Sequence, residues 1–412
     1  MNRNLDLLDP AIMGDETSMY ALFEQLREND PVSYVEHPDY EPFWAITRHQ
    51  DIKFISQNNE RFLNNPRTVL VQREFEQALL AQFGTRNGLE TLIHMDAPKH
   101  RKLRGVTRDW FKPGPIGKLS GEVEKLARHY VDKMETLGGE CDFVKEISLL
   151  YPLRVIMSII GVASEEEAMM LKLTQELFGA ADPSQSRGEE VEDALGVLMD
   201  FFNYFTALVE ERKKNPREDL ATLLANALVD GDPIEQLDQI SYFIITATAG
   251  HDTTAATIAG GMRALIENPQ QMEKLRANPG LYNSAAREMI RWTSPVRHMM
   301  RTTTRDEEFQ GQAIKAGENL CLWYPAANRD ARAIDDPDVF DIERDNKNQL
   351  ALGFGGHMCL GQHLATLEVE LFFRELIPRL KHIEMVGEPE WVQAIFVGGP
   401  KSMPVRYEFH EQ

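Results

Sequence analysis

The chain has 412 residues, 42% of them hydrophobic, with 21 Pro and 27 Gly spread along it, which suits a folded protein with a sizeable core and excludes a disordered one. A formal net charge of −21 at pH 7 argues against nucleic acid as a partner, because phosphate neutralisation needs a basic surface. Residues Met1 to Asp6 carry neither the apolar core of a signal peptide nor the start of a span of about 20 apolar residues, so a soluble, cytoplasmic protein that makes no membrane contact is expected.

No Ser/Gly-rich linker, low-complexity tract or fixed-period repeat interrupts the sequence, and residues 1–412 read as a single domain. Short strand signals come first, at Val32 to Tyr34 and Phe43 to Ile46. A basic run follows, Lys99-His100-Arg101-Lys102-Leu103-Arg104 with Arg108 and Lys112 beyond it. Charge alone leaves that run open between a solvated helix face and a positive docking strip. Apolar residues at three- and four-residue spacing predict helices over Glu122 to Leu137, Glu165 to Gly179 and Glu189 to Lys213.

A longer helix is predicted from Ile234 to Asn268, stopped by Pro269, and at 1.5 Å per residue it would run about 50 Å across the domain. It is apolar nearly all round from Ile240 to Gly250, which predicts burial, and Asp252 then interrupts it with a carboxylate. Strand signals return around Met300 to Thr304 and Leu320 to Trp323, and a last helix is predicted over Ala365 to Leu380. The pattern gives a mainly α, α+β fold: a helix-rich unit with small antiparallel sheets and a long central helix.

The three cysteines, Cys141, Cys321 and Cys359, are too few and too far apart for a disulfide framework, in keeping with a reducing compartment. Cys359 ends the glycine-rich segment Leu352-Gly353-Phe354-Gly355-Gly356-His357-Met358-Cys359-Leu360-Gly361, which opens into a helix. That delivers a thiol to a helix N-terminus, where backbone N–H groups favour the metal-binding thiolate, and the glycines let the backbone approach a flat cofactor. Composition alone leaves the cysteine open between packing and ligation. The segment lacks the Gly-Lys-Ser/Thr ending of a phosphate loop and the preceding strand of a dinucleotide site. His357, Cys359 and His363 suggest zinc, but no second pair of suitably spaced ligands appears.

The loop resembles the cysteine-ligand signature of the cytochrome P-450 family, with Gly355, His357, Cys359 and Gly361 at the family's spacing. One position departs: Leu352 stands where the family usually has Phe, which bears on the iron potential. Glu288-Met289-Ile290-Arg291 resembles the family's Glu-x-x-Arg helix, although alone it is an ordinary i,i+3 ion pair. By resemblance Glu288, Arg291 and Arg344, in the stretch from Pro337, are structural supports of the haem-binding core. Ala249-Gly250-His251-Asp252-Thr253-Thr254 is similar to the oxygen-activation motif; alone it is also a threonine back-bonding to its helix beside a solvated aspartate.

What the resemblance implies is a haem-thiolate monooxygenase containing haem b, with Cys359 as axial metal ligand and Gly353, Phe354 and Gly361 shaping the cofactor loop. Ala249 and Gly250 leave room for dioxygen, Asp252 and Thr253 are the catalytic proton-delivery pair, and His100, Arg104, Arg301 and His357 hold the haem propionates. Ile244, Ala247, Thr248, Val296, Met300, Phe396 and Val397 are implied as the lining of a pocket for a small apolar substrate, terpenoid or hydrocarbon-like; each is otherwise plain core. The wording of Gly355 to Leu364 and of Phe396 to Lys401 looks like that of the bacterial subgroup that includes the α-terpineol monooxygenase. No flavin or nicotinamide domain follows the cysteine loop, so electrons are expected from a separate iron–sulfur ferredoxin and its NAD(P)H-dependent reductase, docking on the basic run. Two alternatives remain at this stage, a peroxide-driven peroxygenase and a non-catalytic haem sensor or carrier; the Asp252-Thr253 pair argues against the first.

Overall fold

A computed structural model describes residues 3–87, 90–178, 186–188 and 191–411. The helices that build or support the site are α1 (Glu16–Asn29), α2 (His49–Gln57), α3 (Arg73–Phe83), α4 (Lys99–Arg108), α5 (Ser120–Thr136), α6 (Leu150–Ile160), α7 (Glu167–Phe178), α8 (Val191–Lys214), α9 (Gln236–Ala249), α10 (Asp252–Glu267), α11 (Tyr282–Thr293) and α12 (Gln362–Leu376). Gly179 and Glu189, outer bounds of two predicted helices, lie outside the described residues. The strands are β1 (Val32–His37), β2 (Tyr40–Ile46), β3 (Phe62–Leu63), β4 (Glu140–Asp142), β5 (His298–Thr303), β6 (Asn319–Trp323), β7 (Leu380–Met385) and β8 (Pro404–Phe409).

The larger sheet has the order β1-β2-β6-β5-β3, antiparallel throughout except for the parallel pair β2 and β6. Every residue of β6 is buried, as expected for a central strand covered on both faces. On one face Met300, Cys321 and Trp323 pack with Met19, Leu22 and Phe23 of α1. On the other, Leu320 and Leu322 meet Ile52 and Ile55 of α2. A smaller sheet, β7-β8-β4, closes the far side, and the remaining helices share one large core that includes Val131, Ile156, Phe205, Phe243, Ile258 and Phe372.

The central helix differs from the sequence reading. It starts at Gln236, since Ile234 is tied back to the Ala227 carbonyl by its N–H, and it is two helices rather than one. Gly250 caps α9, His251 leaves helical geometry at φ −101 and ψ −74, and the N–H groups of Thr254 and Ala255 restart the ladder on the His251 carbonyl. A Cβ at Gly250 would stand 2.9 Å from the Ile156 side chain, so α6 packs hard against the break. The last helix also shifts: α12 begins at Gln362 and stops at Leu376, because Pro378 cannot continue it.

Candidate active site

Cys359 lies in a closed loop between β6 and α12. Its N–H donates to the Leu352 carbonyl at 2.8 Å. Gly355, at φ +72, seats the loop on α2 so closely that any Cβ would collide with the Ser56 carbonyl oxygen. Cys359 keeps part of its surface accessible within apolar surroundings, which push its thiol pKa up, while the Gly361 N–H and the Arg104 guanidinium pull it back. Such a thiol ionises on meeting a metal cation rather than by itself. Phe354 packs toward α2 with Lys53 Nζ 5.0 Å from its ring centre.

Beside this loop the structure gathers the four predicted propionate partners. The His100 ring on α4 stacks on His357 with centroids 3.9 Å apart. Arg104, one turn along α4, donates to the Met358 carbonyl at 2.5 Å. Arg301 projects from β5, buried, with one guanidinium N–H on the Met300 carbonyl at 2.6 Å. Burial first, then the charges of Arg104, Arg101 and Arg301, drive His100 down to about 4. His357 is driven down to about 2 by burial and then by Arg301, His100 and Arg104. Two residues of this cluster escaped the sequence reading. Asn64 donates to His357 Nδ1 at 3.0 Å, and the Tyr324 phenol lies near enough to Arg301 to act on its charge; neither belongs to a recognisable motif. Among the described residues His100 Nε2 and Arg301 Nε are buried with no hydrogen-bond partner. A buried knot of donors and cations of this kind suits a ligand with carboxylates.

Across from the loop, the break between α9 and α10 presents Ala249, Gly250, Asp252 and Thr253. At 3.6 residues per turn Ile245 and Thr253 stack over Ala249, and these three stay exposed or half-buried, as do Thr246, Gly250 and Asp252, while Phe243, Ile244, Ala247, Thr248 and Thr254 are buried. Thr107 on α4 and Tyr242 on α9 share a hydrogen bond that ties this helix to the propionate cluster. Thr253 Oγ1 donates to the Ala249 carbonyl at 2.9 Å. Burial raises the Asp252 pKa, opposed by His251, and Oδ2 has no hydrogen-bond partner among the described residues.

The predicted pocket lining is only partly brought together. Ile244 and Ala247 turn to the back of α9 and belong to the general core, and buried Thr248 spends its hydroxyl on the Ile244 carbonyl; Ile245 holds the open face instead. Met300 lies on the face of β5 opposite Arg301, against α1, so that Met299 shares the Arg301 side. Val296 and Val397 pair through a β-bridge, and Phe396 packs edge-on against His298. A cavity of about 350 Å³ opens between α3, α8 and the start of α9, with Phe83, Met199, Phe202 and Leu237 as apolar lining. Its charged lining is Glu90, Glu235, Asp238 and Lys99, whose Nζ lies 2.7 Å from Asp238 and 3.5 Å from Glu90.

Glu288 and Arg291 are fully buried and meet in a two-pronged ion pair at 2.7 and 2.8 Å. Arg291 also donates to the carbonyls of Asn328 and Pro337, while Glu288 accepts from the Asp341 N–H and from Arg344 at 3.4 Å. The i,i+3 pair thus clamps α11 to the segment that leads into the cysteine loop.

Comparison with known proteins decides what this arrangement is. The cytochrome P-450 family model matches residues 281–395. Cytochrome P-450-terp of a Pseudomonas species is 37% identical over 408 residues, covering 97% of this chain and 95% of its own. The chain belongs to the cytochrome P-450 family. Linalool 8-monooxygenase of Pseudomonas putida is 30% identical, covering 97% of this P-450 and 98% of itself. The crystal structure of CYP108D1 from Novosphingobium aromaticivorans superposes with a TM-score of 0.91 at 41% identity, covering 98% of this chain and 97% of its own. This P-450 is a monooxygenase whose cofactor is haem b. The half-buried Cys359, the unpartnered His100 and Arg301 nitrogens and the open Ile245–Ala249–Thr253 face fit a haem with its two carboxylates. Among the described residues no helix is long and apolar enough to cross a membrane.

Proposed function

We propose that this P-450 oxidises a small, neutral, apolar molecule of terpenoid or hydrocarbon type, with electrons from a separate iron–sulfur ferredoxin and its NAD(P)H-dependent reductase. The observation that supports the substrate class is the open face of Ile245, Ala249 and Thr253, which carries no charge; the 350 Å³ cavity, lined by none of these residues, adds that three carboxylates stand there beside one lysine that is already paired. A carboxylate substrate would meet repulsion there, and an uncharged one would not. The names of linalool 8-monooxygenase and P-450-terp point in the same direction.

In this reading Cys359 would ligate the haem iron, and His100, Arg104, Arg301 and His357 would hold the propionates. A haem bound there through a thiolate would supply dioxygen activation, the net reaction using two electrons and two protons to put one oxygen atom into a substrate C–H bond and the other into water. The chain supplies the surroundings. The small residues Ala249 and Gly250 keep space on the helix face, and Ile245 limits how closely a substrate approaches it. Thr253, with its proton engaged by the Ala249 carbonyl, offers its oxygen lone pairs toward the open face and passes a proton on by exchanging that bond. Asp252, whose raised pKa keeps a proton on the carboxyl closer to neutrality, replenishes it.

The ferredoxin is placed against α4. Lys99 and Lys102 are already paired, with Asp238 and Asp230, and Arg108 stands 3.7 Å from Asp109, so the attraction rests chiefly on Arg101 and is weaker than the basic run alone suggested. Substrate-induced spectral shifts of the purified protein test the substrate class. Neutral monoterpenoids should shift the haem to high spin at micromolar concentration, and fatty-acid carboxylates of equal size should not. The reverse order would contradict the proposal.

A further inference from the structure

His251 sits in the break between α9 and α10 and is fully buried, although the relay residues beside it are not. Its Nε2 is 2.8 Å from the Leu149 carbonyl oxygen at the entrance of α6. A carbonyl only accepts, so Nε2 carries a proton. Its Nδ1 is 3.3 Å from Asp252 Oδ1 and 3.2 Å from Thr174 Oγ1 on α7. The Thr174 hydroxyl donates to the Leu171 carbonyl at 3.0 Å, which leaves its oxygen as a further acceptor toward Nδ1. A neutral imidazole with its proton on Nε2 would therefore point a lone pair at a carboxylate lone pair. Two bare acceptors at this distance repel, and one proton between them removes the repulsion.

We propose that His251 and Asp252 hold a single proton along the Nδ1–Oδ1 contact, and that His251 is thereby the positioning residue that keeps the relay carboxyl loaded and aimed. The inference rests on the reading of Asp252 as proton donor. With Oδ1 held by His251, Oδ2 is the oxygen free to exchange protons, and Asp252 also lines a cavity of about 50 Å³ with Gln175, Val397 and Lys401, which has room for ordered water. The step balances. The pair gives up the one proton that it holds: the shared proton moves fully onto the carboxyl and is released from it, leaving a neutral imidazole beside a carboxylate, and one proton delivered from solvent through water in the cavity restores the contact. Leu149 and Thr174 fix the ring from α6 and α7, so the aim of Asp252 is set by the fold rather than by its own backbone.

The test uses the holoenzyme. His251→Phe keeps the ring volume and removes both nitrogens, while His251→Gln keeps a donor. Expected is a diversion of reducing equivalents to hydrogen peroxide in His251→Phe of about the size seen in Asp252→Asn, partial recovery in His251→Gln, and an unchanged substrate-induced spectral shift in both. The double variant with Asp252→Asn should be no worse than Asp252→Asn alone, because one residue acts through the other. A readout independent of turnover is the ¹⁵N resonance pair of His251 in the diamagnetic ferrous–carbon monoxide form, where Asp252→Asn should move Nδ1 and leave Nε2 protonated. Additive losses in the double variant, or an Nδ1 resonance indifferent to Asp252→Asn, overturns the shared proton. If Asp252→Asn itself stays fully coupled, the proton-delivery reading falls and takes this inference with it, whereas coupled His251→Phe beside uncoupled Asp252→Asn removes the inference alone.

Discussion

Thr253 combines two demands that the sequence could state but not weigh. Its hydroxyl satisfies the Ala249 carbonyl in the loosened turn, and its oxygen faces the open side of the helix. Replacing it with Ala leaves packing nearly intact, since the residue is only half-buried. Thr253→Ala should therefore keep haem content and substrate shift while diverting most electrons to peroxide, roughly a tenfold or greater loss of coupling on the scale of a lost general acid. Product and peroxide, quantified per NAD(P)H consumed, check it; unchanged coupling would separate the hydroxyl from proton delivery. At this scale Cys359, His100, Arg104, Arg301 and His357 were legible because a motif or a fixed order named them. Asn64, Tyr324 and the role of His251 were not, because each acts through contacts across more than 20 positions of chain. Ile244 and Met300, expected as pocket lining, pack in the core, and one residue away in a helix or a strand is enough to turn a side chain to the other face.

Between elements, the strongest link is the clamp of Glu288 and Arg291 on the carbonyls of Asn328 and Pro337. Removing one partner leaves a charge buried without compensation. Arg291→Met should cost about 3–5 kcal/mol in chemical denaturation, with loss of haem as α11 releases the segment before the cysteine loop. A cost below 1 kcal/mol would show the clamp to be dispensable. Periodicity alone showed β1, β2, β5 and β6 and the helices α5, α7, α8, α9, α10 and α12, and left α1, α2, α3 and α6 and the smaller sheet of β7, β8 and β4 unread. The central helix was visible as length but not as a break. The break needs Ile156 pressing on Gly250 and Leu149 anchoring His251, both long-range.

For the molecule as a whole, net charge and buried charge pull differently. Glu368 on α12 is almost fully buried, its Oε2 has no partner among the described residues, and burial raises its pKa well above the ordinary 4.5. The folded state thus prefers the protonated acid, so this stabilisation is complete below the unfolded value near 4.5 and is lost as pH rises above it. Glu368→Gln cannot ionise, and its Tm relative to wild type should rise from about pH 5 to about pH 8. A difference that stays flat across that range would mean that Glu368 finds a partner in solution. The charge of −21 bears on electron transfer as well. Reduction by a ferredoxin docked at Arg101 and Arg108 should slow with ionic strength, because salt screens such steering over about 10 Å at 0.1 M. Arg101→Glu should slow it further at low salt with substrate affinity unchanged, measured by stopped-flow reduction; wild-type rates and salt dependence would move the docking site elsewhere. The sequence showed the basic run but not that Asp230 and Asp238 neutralise part of it, nor the acidic cavity, whose walls come from four helices, α3, α4, α8 and α9. All of these proposals presuppose a haem held by the Cys359 thiolate, and the absorption spectrum of the ferrous–carbon monoxide form tests that most directly. Wild-type protein should show the red-shifted Soret band of thiolate ligation and Cys359→His should bind haem without it. A Cys359→His variant that keeps the wild-type band would contradict the assignment.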